Sequence, residues 1–221
     1  MQDEAALKTS SKEELIALIQ ELSSTQKGLE LRLQTLEAAE NDRARLEGLL
    51  RMPPFYGYET RAARVLRRDL NGYWQQLWID AGSAHKIKRG MGVICKDGVV
   101  GRVREVYEQS AVVELISSPT FRIAAQIQGD DRPFVYRGRG LAFGEQPVGQ
   151  TQAMQPEMAL KQGESKWLVT TGLSGSFPEG ITIGKLIQTD SVSEGGLLEG
   201  SVELSKNLEK LRQVTLLIPN R

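Results

Sequence analysis

The residues best suited to chemistry are a histidine, an aspartate and a serine, which follow one another as His85, Asp97 and Ser174. In that order they could form the nucleophilic triad of a two-barrel serine protease, in which the histidine takes the serine proton. The spacing opposes this interpretation, because Asp97 follows His85 by only 12 positions. The segment Gly172–Ser176 also misses the Gly-x-Ser-x-Gly pattern of a nucleophile turn by one residue. We therefore predict a protein that is not an enzyme, with an atypical two-barrel serine protease as an alternative.

The chain has one cysteine and one histidine, a count that excludes an internal disulfide and disfavours a Cys/His zinc site. Cys95 ends the apolar run Val93–Cys95 without a second thiol, and we interpret it as an inert strand residue. The glycine-rich segment 172–184 lacks the Gly-Lys-Ser/Thr sequence of a phosphate-binding loop. The sequence therefore predicts no catalytic residue, no metal and no cofactor.

Acidic and basic residues balance at 28 each, so no net field draws the protein to nucleic acid. Four arginines nevertheless cluster in one short run with apolar residues between them. Such a cluster can follow a phosphate backbone, but the neutral net charge favours a solvated strand face, and we predict no nucleic-acid partner. The cluster consists of Arg61, Arg64, Arg67 and Arg68.

The beginning of the chain has the composition of one long helix. Between Ser11 and Leu50 there is no proline, and the strong helix formers Leu, Glu, Gln, Arg and Ala dominate. Ser11 and Glu14 have the spacing of a capping box at a helix start. Pro53 and Pro54 then end the helix, because proline lacks the backbone N–H that a continuing helix needs.

Leucines on this helix recur at the seven-residue spacing of a coiled-coil seam. We predict a disordered segment 1–10 and a coiled-coil stalk 11–52 that pairs with a second copy. The alternative is an amphipathic helix folded onto its own domain. No apolar run reaches the roughly 18 residues of a membrane span, so the sequence predicts a soluble chain. The predicted self-association residues are Leu15, Leu18, Leu22, Leu29, Leu36, Leu46 and Leu50.

After residue 55 the pattern changes to short apolar runs separated by Gly, Pro and Asp, which is typical of barrels and sandwiches. The predicted fold is mainly β, with two small β-barrels at 55–132 and 133–221 that follow the long α-helix. The last strand could return to the first barrel. The predicted strands are Arg61–Leu66, Tyr73–Asp80, Gly92–Cys95, Val99–Val106, Ala111–Ile116, Arg122–Gln128, Val135–Phe143, Trp167–Thr170, Thr182–Gln188, Ser201–Leu204 and Gln213–Ile218.

Turn residues and irregular segments separate these strands. Asp97-Gly98 has the composition of a tight hairpin turn. We interpret Glu145–Gly163 and Ser191–Gly200 as surface loops, because neither has a recognisable pattern. The aromatic residues Phe55, Tyr56 and Tyr58 follow the two prolines. They either pack at the junction between helix and barrel or anchor a partner, since such residues concentrate in binding hot spots.

Two stretches, 78–93 and 168–183, share a skeleton at an offset of 90 positions. Both stretches begin with the apolar end of a strand and a glycine. A polar loop with one apolar residue, which we call the plug, and a second glycine then lead into another strand. The plugs are Ile87 and Phe177. Glycine at such corners permits a positive φ or close backbone approach. The repeat favours two related barrels, each of which closes its own sheet.

These glycine-rich motifs resemble those of the MreC family of bacterial rod shape-determining proteins. The resemblance begins with Ile79–Gly82, Gly90–Val93 and Asp97–Val103, continues with Thr170–Ile181, and ends with the segment from Glu203 to Leu216. The motifs occur in the family's order and extend from the helix to the C-terminus. The matching glycines are Gly82, Gly90, Gly98, Gly101, Gly172, Gly175, Gly180 and Gly184.

The resemblance implies a scaffold of the cell-elongation machinery on the periplasmic side of the bacterial inner membrane. Its implied partners are a second copy of itself, a class B penicillin-binding protein, MreD and the MreB machinery. It also implies an N-terminal membrane anchor, which we do not find in this sequence, so we expect the chain to be a soluble fragment or the natural protein to be anchored differently. The alternative scaffold is a periplasmic coiled-coil adaptor of an efflux or secretion assembly, which would normally show two antiparallel helices.

Overall fold

A computed structural model describes residues 26–30, 32, 35, 55–70, 75–140, 146–191 and 196–220. The chain divides between residues 51 and 52 into two compact units. In the first unit the described residues are helical and exposed, and Leu29 is 54% exposed. The remainder of the predicted segments 1–10 and 11–52 lies outside the described residues. The other six seam leucines lie outside them too, so coiled-coil pairing stays a prediction.

The second unit is built from β-strands, along which successive side chains point to opposite faces of the sheet. Short 3₁₀ helices at Ser83–His85, Pro156–Met158 and Lys206–Lys210 lie between strands. The strands are β1 Tyr58–Asp69, β2 Gln76–Ile79, β3 Gly92–Cys95, β4 Gly98–Val106, β5 Ala111–Leu115, β6 Arg122–Ile127, β7 Phe134–Gly138, β8 Val148–Met154, β9 Lys166–Thr171, β10 Glu179–Ser191, β11 Leu198–Glu203 and β12 Gln213–Pro219.

These strands close into two six-stranded antiparallel barrels, which confirms the predicted pair of barrels. The first barrel has the order β1-β12-β3-β4-β5-β2, and the second has the order β10-β11-β8-β7-β6-β9. The last strand therefore returns to the first barrel, where β12 lies between β1 and β3. The division between the barrels differs from the predicted one at residue 132, because β6 pairs with β7 and β9 of the second barrel.

Strand β8 corrects the prediction that 145–163 is a surface loop. The sequence hides this strand because two of its three inward positions carry Gly149 and Thr151, and only the last, Met154, carries a large apolar residue. A Cβ atom at Gly149 would lie 2.2 Å from the hydroxyl oxygen of Tyr136, so the buried tyrosine fills the space that a side chain would take. Similarly, Leu198–Gly200 belong to β11 and not to a loop.

The 90-residue repeat does not relate equivalent strands, which is a second correction. It aligns β2 and β3 with β9 and β10, but β9 and β10 are paired neighbours, whereas β2 pairs with β1 and β5. The strand orders superimpose when β1–β5 are matched with β7–β11 and β12 with β6. Gly101 and Gly184 then become equivalent, and each approaches a glutamate carbonyl on the next strand. The two barrels therefore share one strand order, but their equivalent strands are not those that the 90-residue repeat aligns.

Two apolar clusters form the core of the barrel unit. One fills the first barrel and includes Leu77, Ile79 and Val113. The other fills the second barrel around Phe121, Tyr136 and Phe177, and it also contains three first-barrel residues. These are Ile94, Val99 and Leu217, whose side chains join the two barrels through apolar contact.

Candidate interaction surfaces

The structure gives the residues of the protease hypothesis other partners. His85 Nδ1 accepts a hydrogen bond from the backbone N–H of Gly82 at 3.2 Å, within the loop after β2. The Asp97 carboxylate accepts hydrogen bonds from Ser205 Oγ at 3.1 Å and Asn207 Nδ2 at 2.7 Å. A triad needs the aspartate to orient the histidine. The bonds of His85 and Asp97 do not join them to each other.

Within the described residues, no group of three or more His, Cys, Asp or Glu side chains is placed to hold a metal ion. The same residues include no helix that is long and apolar enough to cross a membrane.

Cys95 lies at the end of β3, where its side chain is 9% exposed and belongs to the first-barrel core. Burial raises the pKa of its thiol, because the thiolate would lose its hydration. A neutral, shielded thiol is a poor nucleophile. Cys95 therefore fills space in the strand, in agreement with its interpretation from the sequence.

We expect Cys95 to react with iodoacetamide at pH 8 at least about tenfold more slowly in the native protein than in urea-unfolded protein. Mass spectrometry of timed, quenched samples measures both rates. An equal rate in the two states would contradict the buried, protonated thiol.

The eight motif glycines serve two purposes. Gly82 and Gly101 lie where a Cβ atom would be 2.2 Å and 2.0 Å from a backbone carbonyl oxygen, and Gly184 is similarly crowded at 2.5 Å. The motif glycines with a positive φ are Gly90, Gly98, Gly172, Gly175 and Gly180. The glycines of the motif thus allow strands to approach and turns to form.

Two glycines allow the barrels to touch. A Cβ atom on Gly92 would lie 2.3 Å from the carbonyl oxygen of Ser176 and 2.7 Å from the ring of Phe177. At Gly98 it would lie 2.1 Å from the carbonyl oxygen of Thr182. The β3–β4 hairpin of the first barrel therefore packs backbone to backbone on the second barrel.

We call this contact of the β3–β4 hairpin with the second barrel the joint, and polar contacts strengthen it. Arg102 Nη2 donates a hydrogen bond to the Arg122 carbonyl at 2.7 Å, and its guanidinium carbon lies 5.2 Å from the centroid of the Phe121 ring. Burial lowers the pKa of Arg102, an effect that the nearby Glu114 carboxylate partly offsets. Together with the Asp97 bonds to Ser205 and Asn207, these contacts fix the relative orientation of the two barrels.

The three aromatic residues before and in β1 are not equivalent. Phe55 and Tyr58 are half-buried against the second-barrel core, and Tyr58 Oη donates a hydrogen bond to the Gly175 carbonyl at 3.1 Å. Tyr56 is fully exposed. Of the three predicted anchors, only Tyr56 presents its whole ring to solvent.

The cationic cluster on β1 is partly used within the chain. Arg64 Nε lies 2.8 Å from Asp80 Oδ2, and Arg68 donates a hydrogen bond to the Leu211 carbonyl. Partial burial raises the pKa of Asp80, but the hydrogen bonds and charge of Arg64 outweigh this effect, so the pKa lies below its ordinary value. Arg61 and Arg67 are exposed on the same strand.

A groove of about 510 Å³ lies where the β3–β4 turn meets the second barrel. Trp167 lines it with 51% of its surface exposed, and Lys185 Nζ lies 6.0 Å from the centroid of the indole ring. An exposed tryptophan of this kind is typical of interfaces. Sequence reasoning missed Trp167 as a candidate interface residue, because it occupies an outward strand position that any polar residue could fill.

Comparison with known proteins agrees with this description. Residues 65–218 match the sequence model of a family described as rod shape-determining protein MreC, barrel core. The cell shape-determining protein MreC of Listeria monocytogenes is 28% identical over 165 residues, which are 72% of this chain and 54% of that protein. MreC of Escherichia coli is 28% identical over 176 residues, 80% of this chain and 46% of that protein. The chain thus spans about half the length of these curated relatives.

Solved structures share the fold. The major periplasmic domain from the cell shape-determining filament MreC has a TM-score of 0.62 at 22% identity, over 76% of this chain and 100% of that chain. A chain in the complex between penicillin-binding protein PBP2 and MreC from Helicobacter pylori has a TM-score of 0.55 at 13% identity. That match covers 74% of this chain and 99% of that chain. At these identities the structural likeness concerns the fold alone.

Proposed function

Because this chain belongs to the MreC family of rod shape-determining proteins, we propose that it is a non-enzymatic scaffold of the bacterial cell-elongation machinery. It organises peptidoglycan synthases and maintains rod shape by self-association and partner binding. The observation that carries the proposal is the match of the MreC barrel core from β1 to β12, which includes both closed barrels.

The proposed partners follow from the relatives. A class B penicillin-binding protein, the elongation transpeptidase, is supported by the likeness to a chain of the Helicobacter pylori PBP2–MreC complex. Self-association is supported by the relative described as a cell shape-determining filament. MreD and the MreB machinery are proposed as further partners. We place the protein on the periplasmic side of the inner membrane, attached through an N-terminal anchor.

In this proposal the molecule acts as a scaffold by holding its binding surfaces at fixed positions. The joint around Gly92, Gly98 and Arg102 holds two barrels in one orientation, so that the partner sites on them keep fixed distances. Pairing of two chains through the stalk doubles each site. Modest contacts then gain strength through avidity, because the second contact of a pair forms at a high effective concentration.

Tyr56 is the residue of choice for testing the transpeptidase contact. We expect Tyr56→Ala to weaken binding of the purified class B penicillin-binding protein about tenfold, since an exposed aromatic at an interface is a common hot spot. Tyr56→Phe keeps the ring and serves as the matched control. Biolayer interferometry measures both affinities.

Thermal unfolding of each variant verifies that the barrels are intact. Unchanged affinity of a folded Tyr56→Ala variant would remove Tyr56 from the interface and leave the scaffold proposal standing. If the unmodified chain binds no transpeptidase at micromolar concentration, the proposed partnership itself fails.

A further inference from the structure

Strand β1 has an open edge. Its first half, Tyr58–Arg64, pairs with β12 on one side, whereas Val65–Asp69 pair with β2 on the opposite side. The side of the first half that faces away from β12 therefore carries no strand among the described residues. Closed barrels normally leave no such edge, and unpaired edges are templates for another strand.

The open side is defined by the hydrogen bonds of Arg64. Its backbone N–H donates to Asp80 Oδ1 at 2.6 Å and its carbonyl accepts from the Asp80 N–H at 3.0 Å, while the next N–H, of Val65, donates to the Arg212 carbonyl on the β12 side. Backbone groups alternate in direction along a strand. The register from 58 to 64 is free of bulges, so Thr60 and Ala62 point to the open side like Arg64.

Thr60 and Ala62 are exposed, and their outward N–H and C=O groups have no hydrogen-bond partner among the described residues. The side chains that flank Thr60 are Glu59 and Arg61, which are also exposed. Neither takes part in an ion pair within the described part of the chain. The edge thus presents free backbone groups between two opposite charges.

This arrangement is self-complementary. When a second β1 strand runs antiparallel with the twofold axis at Thr60, the two Thr60 residues form a hydrogen-bonded pair. Glu59 of each copy then lies opposite Arg61 of the other, at the closer, non-hydrogen-bonded positions. Opposite charges and Thr–Thr pairs stabilise such positions. Moving the axis to Arg61 would put two like charges opposite each other, so the charges select the register.

We propose that two copies of this protein join through their β1 edges, with the twofold axis at Thr60. The proposal deepens the self-association in the proposed function and rests on it. The contact is isologous and closes as a dimer of heads. If the stalks pair with a different copy, the alternation of two twofold contacts produces an open chain of molecules.

A disulfide cross-link tests the register in the full chain. Hydrogen-bonded antiparallel pairs have Cα atoms about 5.5 Å apart, within the range of a disulfide, so Thr60→Cys should form a covalent dimer under mild oxidation. In the same register the Ala62 residues of two copies are offset by four positions, about 13 Å along the strand. Ala62→Cys is therefore the matched control and should stay monomeric on non-reducing gels.

Each outcome decides the proposal. A covalent dimer of Thr60→Cys without one of Ala62→Cys supports it, while no cross-link, equal cross-links or a cross-link of Ala62→Cys alone overturns it. Unmodified protein provides the baseline, since Cys95 is buried. Sedimentation of the same samples distinguishes a failure of the β1 edge contact from a failure of self-association as a whole. A dimer without the Thr60 cross-link removes the edge contact alone, whereas a monomer at every concentration removes self-association.

A charge exchange provides the second test. In the Thr60→Cys background, Arg61→Glu should lower the cross-linking rate about tenfold, because both cross-strand pairs become repulsive. Adding Glu59→Arg restores opposite charges and should restore the rate. An unchanged rate with Arg61→Glu, or no recovery in the exchanged variant, would contradict the pairing of Glu59 with Arg61.

Discussion

Replacing Phe177 with alanine is expected to lower the free energy of unfolding by about 3–5 kcal/mol, the usual cost of emptying a buried phenylalanine site. Phe177 has no exposed surface, and its ring lies against Gly92 of the other barrel. The cavity would open in the cluster that contains Ile94 and Val99 of the first barrel. The substitution therefore removes packing from the joint between the barrels as well as from the second-barrel core.

Urea unfolding followed by circular dichroism measures this loss. Leu173→Ala is the matched control, because Leu173 lies in the same loop with 73% of its surface exposed. Its effect should stay within about 0.5 kcal/mol. Equal losses in the two variants would show that Phe177 does not hold the barrels together.

Replacing Gly101 with alanine is expected to cost about 3 kcal/mol, at the upper end of overpacking effects. The new Cβ atom would lie 2.0 Å from the Glu114 carbonyl oxygen on β5, and backbone cannot rotate away as a side chain can. Strands β4 and β5 would have to separate at Gly101, where they are paired. The first barrel would lose pairing at its centre.

The control is Gly28→Ala, since Gly28 is helical and, in the part of the chain that the structure describes, no atom beyond the helix's own backbone lies within 4 Å of the added Cβ atom. Alanine there should be neutral or stabilise by about 0.5–1 kcal/mol, because it restricts the unfolded chain and favours the helix. The same urea titrations compare both variants. A Gly101→Ala protein as stable as the unmodified chain would contradict the close contact with Glu114.

Local patterns made most strands predictable. Gly92–Cys95 is predicted with its observed bounds, and Gly98, with φ +123°, ends the hairpin turn that Asp97-Gly98 indicates. Strand β8 escaped prediction because Gly149 makes room for Tyr136, a partner on another strand. The triad hypothesis paired His85 with Asp97 on chain order, whereas the fold commits each to a different contact.

The sequence by itself determined most of the strands, the glycine-rich turns and the family resemblance, because alternation and turn chemistry are local properties of the chain. Only the tertiary structure decided which strands are neighbours. A period of two specifies the buried face of a strand but not the strand beside it. For that reason β12 could be placed in the first barrel, β6 in the second and an open edge at Thr60 only once the barrels had closed.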